Sequence, residues 1–391
     1  MKFSGFAVFL TIVLIIYAAI NFYILRRGWQ ALEGTGGNRL LFLYGFLFLV
    51  LAYPAGRFLE HMSRNIITDL LLKLGSFYLG LMVYLFFLLL IIDLFRLANH
   101  FVHFFPAAME SHPQKSAQFA FLGVTLLVLV IGISAFINAL HPRVRTFDLT
   151  VAKTANGMEN LRIVMASDIH LGTIIHNDRL LQMVNKINNL NPDIILLPGD
   201  VVDEDIGPLK DQGMNASLKK LRAPFGVYAV TGNHEYFGGV KSAVNYLEGG
   251  NITFLQDSVI RINDSFYLAG RKDLTAQRWG QGRKPLEEIL QGIDRSLPVI
   301  MMDHQPFHLE QAQQNEVDLQ LSGHTHHGQL YPFNYITEKI FEVSWGYKQK
   351  GNTHYYVSCG AGTWGPPMRL GNRPEIVVIN LNFTENDKAA K

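Results

Sequence analysis

Hydrophobic positions follow two different rhythms along this chain, and the change falls at His141-Pro142. Before it, four apolar stretches near 6–25, 40–55, 74–95 and 119–140 read as helices that cross a hydrocarbon core, which takes roughly 20 residues at about 1.5 Å each. The second is the shortest, because Pro54 and Gly56 are expected to close it. A cleavable leader does not account for the first, since Arg26-Arg27 follows it where a small-residue cleavage site would stand. After His141-Pro142 the apolar runs shorten to strand length. Residues 147–151 read as an edge strand, 161–166 and 194–197 as strands buried on both faces, and 227–230, the run 298–306 and 319–321 as further strands. Between the first two buried strands, Leu180, Leu181, Val184 and Ile187 recur at helical spacing until Asn191-Pro192 stops them. Short strands near 253–254, 259–262 and 266–269, then 355–358 and 375–381, complete the pattern. The expectation is a four-helix transmembrane module over 1–142 and an α/β domain over 143–391.

Composition sharpens this division. Hydrophobic residues make up 49% of the 391 positions and charged ones 17%, and the apolar excess lies in the first 140. The net charge of +2 is scattered, which gives no electrostatic case for nucleic acid. A single cysteine, Cys359, excludes an internal disulfide and a thiolate metal cage. Four spans put the N-terminus and the C-terminal domain on one side. That side carries Lys2, Arg57, Arg64, Lys73, Arg143, Arg145 and Lys153, against Arg26, Arg27, Arg39, Arg96 and Lys115 on the other. The balance places a multi-pass protein in the cell membrane with its C-terminal domain cytoplasmic, although Arg26 and Arg27 beside the first span vote the other way. Asp93, near the end of the third span, is expected to pair with Arg96 one turn later.

Candidate chemistry collects at strand ends. In order these are Asp168-x-His170, Gly199-Asp200, Gly232-Asn233-His234, His304 and Gly323-His324-x-His326. Strand alternation would set Asp168 and His170 on one side of the backbone, and Gly232 would let its loop bend sharply. Each motif alone is weak. Five in order, each closing an apolar strand where open α/β sheets keep their sites, point to one shared centre. Oxygen and imidazole donors without thiolate suit manganese, iron or zinc.

This set resembles the calcineurin-like metallophosphoesterases, above all the branch typified by bacterial YkuE and YaeI proteins and by the transmembrane-domain-containing metallophosphoesterases. The resemblance covers 160–383, including the GHTHxGQ run and a later segment with Pro367, Arg369 and 374–376; the membrane module lies outside it. It implies a four-layer α-β-β-α sandwich holding two divalent ions, with manganese favoured. Asp168, His170 and His326 would hold one ion, Asn233, His304 and His324 the other, and Asp200 would bridge them. A hydroxide shared by the ions would hydrolyse a phosphodiester, pyrophosphate or phosphomonoester bond, and the residual positive charge would attract the phosphate. His234, fixed beside a ligand, is the expected general acid or else a histidine that packs its loop, and Asp203, completing the family's GDxxD, orients a ligand histidine or is a solvated loop acid. His327, where many relatives have glycine, either touches substrate or is an exposed neighbour; Arg369 binds a phosphate oxygen or makes a surface salt bridge.

After the ligand run come Leu330, Tyr331, Phe333, Tyr335, Ile336, Ile340, Phe341, Trp345 and Tyr347, with Trp364, Pro366, Pro367 and Met368 later. Two readings stay open. These residues form an apolar lip for a lipid phosphoester, or they cover the domain core and dock on the membrane module. A non-catalytic scaffold or a regulatory membrane protein on the same fold is the competing function, but scaffolds tend to lose ligands and this chain retains every one.

Overall fold

The computed structural model describes residues 3–384; Met1, Lys2 and the stretch 385–391 lie outside them. Four helices are long and apolar enough to cross a membrane: Phe3–Ala31, Gly37–Met62, Ile66–Val102 and Pro113–Leu140. Each outruns the stretch read from sequence, because hydropathy marks the apolar middle while backbone hydrogen bonding continues through polar flanks. Pro54 does not close the second helix but lies inside it. An open backbone end in hydrocarbon costs more than the one bond a proline removes. The neighbouring turn is also pinned by close packing, since a Cβ added at Gly75 would lie 2.3 Å from the Tyr53 backbone nitrogen. Asn65 starts the third helix by accepting from Ile67 N and Thr68 N at 2.9 and 3.2 Å. Asp93 does meet Arg96, at 3.5 Å, but its closer partner is Arg27 of the first helix at 2.6 Å.

The helices up to Ile137 form one compact unit together with Gly365–Met368; Asn138–Trp364 and the chain from Arg369 onward form a second. The second unit holds two six-stranded sheets. Its strands are β1 (Arg143–Val151), β2 (Asn160–Met165), β3 (Ile194–Pro198), β4 (Val227–Val230), β5 (Thr253–Phe254), β6 (Ser258–Ile262), β7 (Phe266–Gly270), β8 (Val299–Met302), β9 (Leu319–Ser322), β10 (Gly346–Lys350), β11 (Thr353–Val357) and β12 (Glu375–Phe383). One sheet runs β1-β12-β2-β3-β4-β5 and the other β10-β11-β9-β8-β7-β6. β1 is the expected edge strand but begins four residues earlier than its apolar part, paired in parallel with β12 from Arg143 onward. β10 escaped the sequence reading. Its side chains Tyr347, Lys348, Gln349 and Lys350 are those of a solvated edge, so no buried face advertises it.

Three apolar layers separate four layers of structure. Ile163, Met165, Ile194 and Leu196 of one sheet meet Leu268, Ile300, Met302 and Leu321 of the other in the central layer. Val164, Ile195 and Leu197 face outward onto Leu180, Val184 and Ile187 of the helix Asn177–Asn188. Val299, Met301 and Val357 face the opposite way, onto Leu286, Ile289 and Ala312. The central strands read as continuous apolar runs because both of their faces are covered. Ile163→Ala, at a fully buried position of the central layer, is expected to cost about 2–5 kcal/mol in denaturant unfolding of the detergent-solubilised protein; a loss below about 1 kcal/mol would show that this layer relaxes around the gap.

Candidate metal centre

The donor residues stand just beyond the strands, not within them. β2 ends at Met165, and Asp168 and His170 both adopt left-handed backbone, with φ of 51° and 54°. Strand alternation therefore does not align them; two left-handed turns do, each fixed by a backbone bond, Asp168 N to Gly199 O at 3.1 Å and His170 N to Asp200 O at 3.0 Å. Asp200, His324 and His326 are left-handed as well, with φ of 51°, 72° and 46°. Such backbone is uncommon for residues other than glycine and costs of order 1–3 kcal/mol each. Five such turns converging on one place mark a site whose geometry the surrounding fold imposes.

Two sets of donor atoms result. His170 Nε2 and His326 Nε2 lie 3.0 Å apart, and His326 Nε2 lies 3.6 Å from Asp168 Oδ1. In the second set, Asn233 Oδ1 is 2.8 Å from His324 Nδ1 and 3.2 Å from His304 Nε2. Asp200 Oδ2 falls between the sets, 3.1 Å from His304 Nε2 and 3.9 Å from His170 Nε2. Donors about 2.1 Å from one ion are separated by about 3–3.5 Å, so both sets have the spacing of coordination shells. The buried Asp168 Oδ2 has no hydrogen-bond partner, and an ion would satisfy it. The residues fit divalent metal ions.

Each carboxylate also binds a second ligand loop. Asp168 Oδ1 accepts from His324 N at 2.8 Å, and Asp200 Oδ1 accepts from His234 N at 2.9 Å. These contacts explain two glycines. A Cβ on Gly323 would lie 2.2 Å from Asp168 Oδ2, and one on Gly232 would lie 2.1 Å from Asp200 Oδ1. Gly232 has an ordinary φ of −100°, so it serves close approach and not the sharp bend expected of it.

The surrounding groups fix which ring nitrogens are free. His304 Nδ1 donates to Pro198 O at 2.8 Å, which turns Nε2 toward Asp200 and Asn233. His170 Nδ1 lies 3.3 Å from Asp203 Oδ1, and His234 Nδ1 donates to the Asp203 carbonyl. Asp203 thus touches both a donor histidine and the expected acid. Burial alone would raise the Asp200 carboxyl; His304 and His234 outweigh it and hold it well below the usual range. Burial first, then His304, pulls His324 down to about 4. Burial and the Arg369 guanidinium drive His326 well below its ordinary value, so both rings are neutral, as ligands must be.

Arg369 corrects an expectation. It is fully buried and forms neither a surface salt bridge nor an open phosphate contact. Its Nη1 donates to His326 O and Asn372 Oδ1, and its Nη2 to His326 Nδ1 at 2.9 Å and Gly362 O at 2.7 Å. It holds the His326 ring from behind. His327 joins neither donor set; its ring packs on Trp345 at 5.0 Å and meets Ser344 Oγ at 2.7 Å. The apolar run is mixed as well. Trp345 lies beneath Arg145 and donates to the buried Glu375, Leu330 is buried, and Met368 fills the space beside Gly80 within the helical unit. Tyr331, Tyr335, Ile336 and Ile340 remain exposed, and Phe341 stands edge-on to His324 at 5.9 Å.

Glu235 was missed. Its buried carboxylate accepts from Gly232 N, Val202 N and Asp200 N at 2.7, 2.9 and 3.1 Å, tying two ligand loops together, and burial followed by the nearby Asp200 charge raises it to about 7. Its signal was available as an acid three residues into a short helix, the capping-box position.

Residues 161–328 match the family model for calcineurin-like phosphoesterases. An uncharacterised metallophosphoesterase of Aquifex aeolicus is 34% identical over 66% of this chain and 99% of its own length. A second from Campylobacter jejuni is 29% identical over 96% of this chain and 98% of its own. A zebrafish (Danio rerio) transmembrane protein with metallophosphoesterase domain is 32% identical, covering 66% of this chain and 61% of its own.

If Arg369 orients His326, Arg369→Lys keeps the charge and loses the fork that grips ring and backbone together. Metal affinity, read by competition with a chromophoric chelator, is expected to fall about 10–100-fold; unchanged affinity would mean that the His326 ring needs no such support.

Proposed function

The chain belongs to the calcineurin-like metallophosphoesterases, and on that premise we propose that it is a membrane-anchored, two-metal phosphoesterase acting on phosphodiester or pyrophosphate bonds ahead of monoesters. The observation that carries the two-metal reading is the position of Asp200 Oδ2, within 3.1 and 3.9 Å of one histidine from each donor set. Ions held there would supply an activated water and positive charge for the phosphoryl oxygens. The protein's own groups do the rest. Asp168 and Asp200 spend one oxygen each on fixing neighbouring loops, so the donors are held before any ion arrives. His234 keeps its Nδ1 proton on the Asp203 carbonyl, which leaves Nε2 as the atom that hands a proton to the departing oxygen.

Manganese is the preferred metal under this reading, since every donor is oxygen or imidazole. A lipid phosphoester is the preferred substrate, supported by the exposed Tyr331, Tyr335, Ile336 and Ile340 and by the four membrane-crossing helices in the same chain. The lysine and arginine balance puts the catalytic unit on the cytoplasmic face of the cell membrane. The full chain in detergent, supplied with Mn²⁺, is expected to hydrolyse bis(p-nitrophenyl) phosphate faster than p-nitrophenyl phosphate and to stop on chelation. Asp200→Asn should lower kcat/KM at least about 100-fold. His234→Ala should cost about 100-fold or more on an alkyl diester and far less on the nitrophenyl ester, whose leaving group departs without a proton. Wild-type protein lacking metal-dependent turnover of any ester would favour a scaffold.

A further inference from the structure

His234 has two aromatic walls that the reaction as described does not use. Phe237 and Trp364 meet its ring edge-on with centroids 5.5 and 6.1 Å away, and each is 53% exposed. On another side the ring abuts His170 at 4.6 Å. Phe237 lies three residues after His234 in the helix Asn233–Gly238, one turn along the same face. Trp364 comes from the last loop and is not free to drift. Its backbone N donates to Gln329 Oε1 at 2.9 Å, and Gln329 Nε2 donates back to Trp364 O at 2.7 Å. Gln329 is buried and continues the loop that carries His324 and His326, while Gly362, two residues before the indole, donates to Asp168 O at 2.9 Å. Two donor loops therefore fix the tryptophan backbone, and a large ring is left in water beside the candidate acid.

Single exposed aromatics are ordinary. Two that meet one polar ring are a different arrangement, because the chemistry says what must come beside them. When the P–O bond breaks, water supplies the new oxygen on phosphorus and the departing oxygen takes a proton from His234. The carbon bonded to that oxygen must then lie beside the imidazole. We propose that Phe237 and Trp364 are jaws for this carbon chain, so that they select phosphoesters whose leaving alcohol is the hydrocarbon-bearing part of a lipid. The inference rests on the phosphoesterase reading and names the side of the substrate that the site recognises. A hydrocarbon chain is the occupant that fits both the apolar walls and a chain with four helices long and apolar enough to cross a membrane.

The test uses ethyl, hexyl and octyl phosphate, each presenting the same phosphate to the Mn²⁺-loaded full-length protein in detergent. They are scored as inhibitors of bis(p-nitrophenyl) phosphate hydrolysis and by calorimetry. In the wild type, octyl phosphate is expected to bind about 10–100-fold more tightly than ethyl phosphate. Trp364→Ala and, from a separate element, Phe237→Ala should each shrink that ratio several-fold, and Trp364→Phe should restore most of it. A wild-type ratio near one, or a ratio that both alanine variants leave intact, overturns the jaws. Calorimetry reads the ratio without turnover. A chain-length preference in a protein that hydrolyses nothing would therefore sink the phosphoesterase reading and keep the jaws, whereas hydrolysis without the preference would do the reverse.

Discussion

Everything at the centre depends on two buried carboxylates that each face two ways. Asp168 and Asp200 are almost wholly withdrawn from water, which is costly for a charged group without strong partners. Each recovers part of that cost through one oxygen, which accepts the backbone amide at the head of another ligand loop. Asp200 leaves its other oxygen to the donor sets, and on Asp168 the other oxygen has no hydrogen-bond partner while Oδ1 also lies 3.6 Å from His326 Nε2. Strand ends from both sheets are thereby tied across the sandwich before any ion is considered. The left-handed turns follow from the same requirement. A chain leaving a parallel strand must turn back at once if its side chain is to meet those of four other strands, and Asp168, His170, Asp200, His324 and His326 all carry the cost of doing so.

Much of this was legible in the sequence because it is written in local patterns. Apolar runs with both faces covered gave the central strands, and a donor residue just beyond each gave the centre. What was lost is what depends on a partner distant in the chain. Asp168 and His170 look like alternating strand residues until the backbone bonds to Gly199 and Asp200 are seen. Gly232 looks like a hinge until the carboxylate pressed against it is located. Arg369 looks like a surface cation because arginine usually is one; only the fold shows a carbonyl, an amide oxygen and an imidazole waiting for it inside. β10 and the continuation past Pro54 were missed for a related reason. Composition reports what faces solvent or lipid, whereas the hydrogen-bond ladder decides where an element ends.

The groups behind the donors divide into two kinds. His304 donates its distal N–H to a carbonyl, and His170 sets its own beside the Asp203 carboxylate, the usual means of fixing a ligand ring and raising its basicity. His326 is met instead by a guanidinium, which can only donate. A neutral ring that accepts at Nδ1 carries its one proton on Nε2, the nitrogen facing His170, and an ion binding there would have to displace that proton.

The same economy of contacts links chemistry to recognition. Gln329 belongs to the loop of His324 and His326, yet both ends of its side-chain amide are spent on the backbone of Trp364. Gly362 joins the Trp364 loop to Asp168, and Arg369 grips Gly362 and His326 together. A displacement of the indole backbone would have to be carried into one donor loop through the amide pair and into the other through the glycine. The indole backbone and both donor loops thus belong to one connected piece of structure.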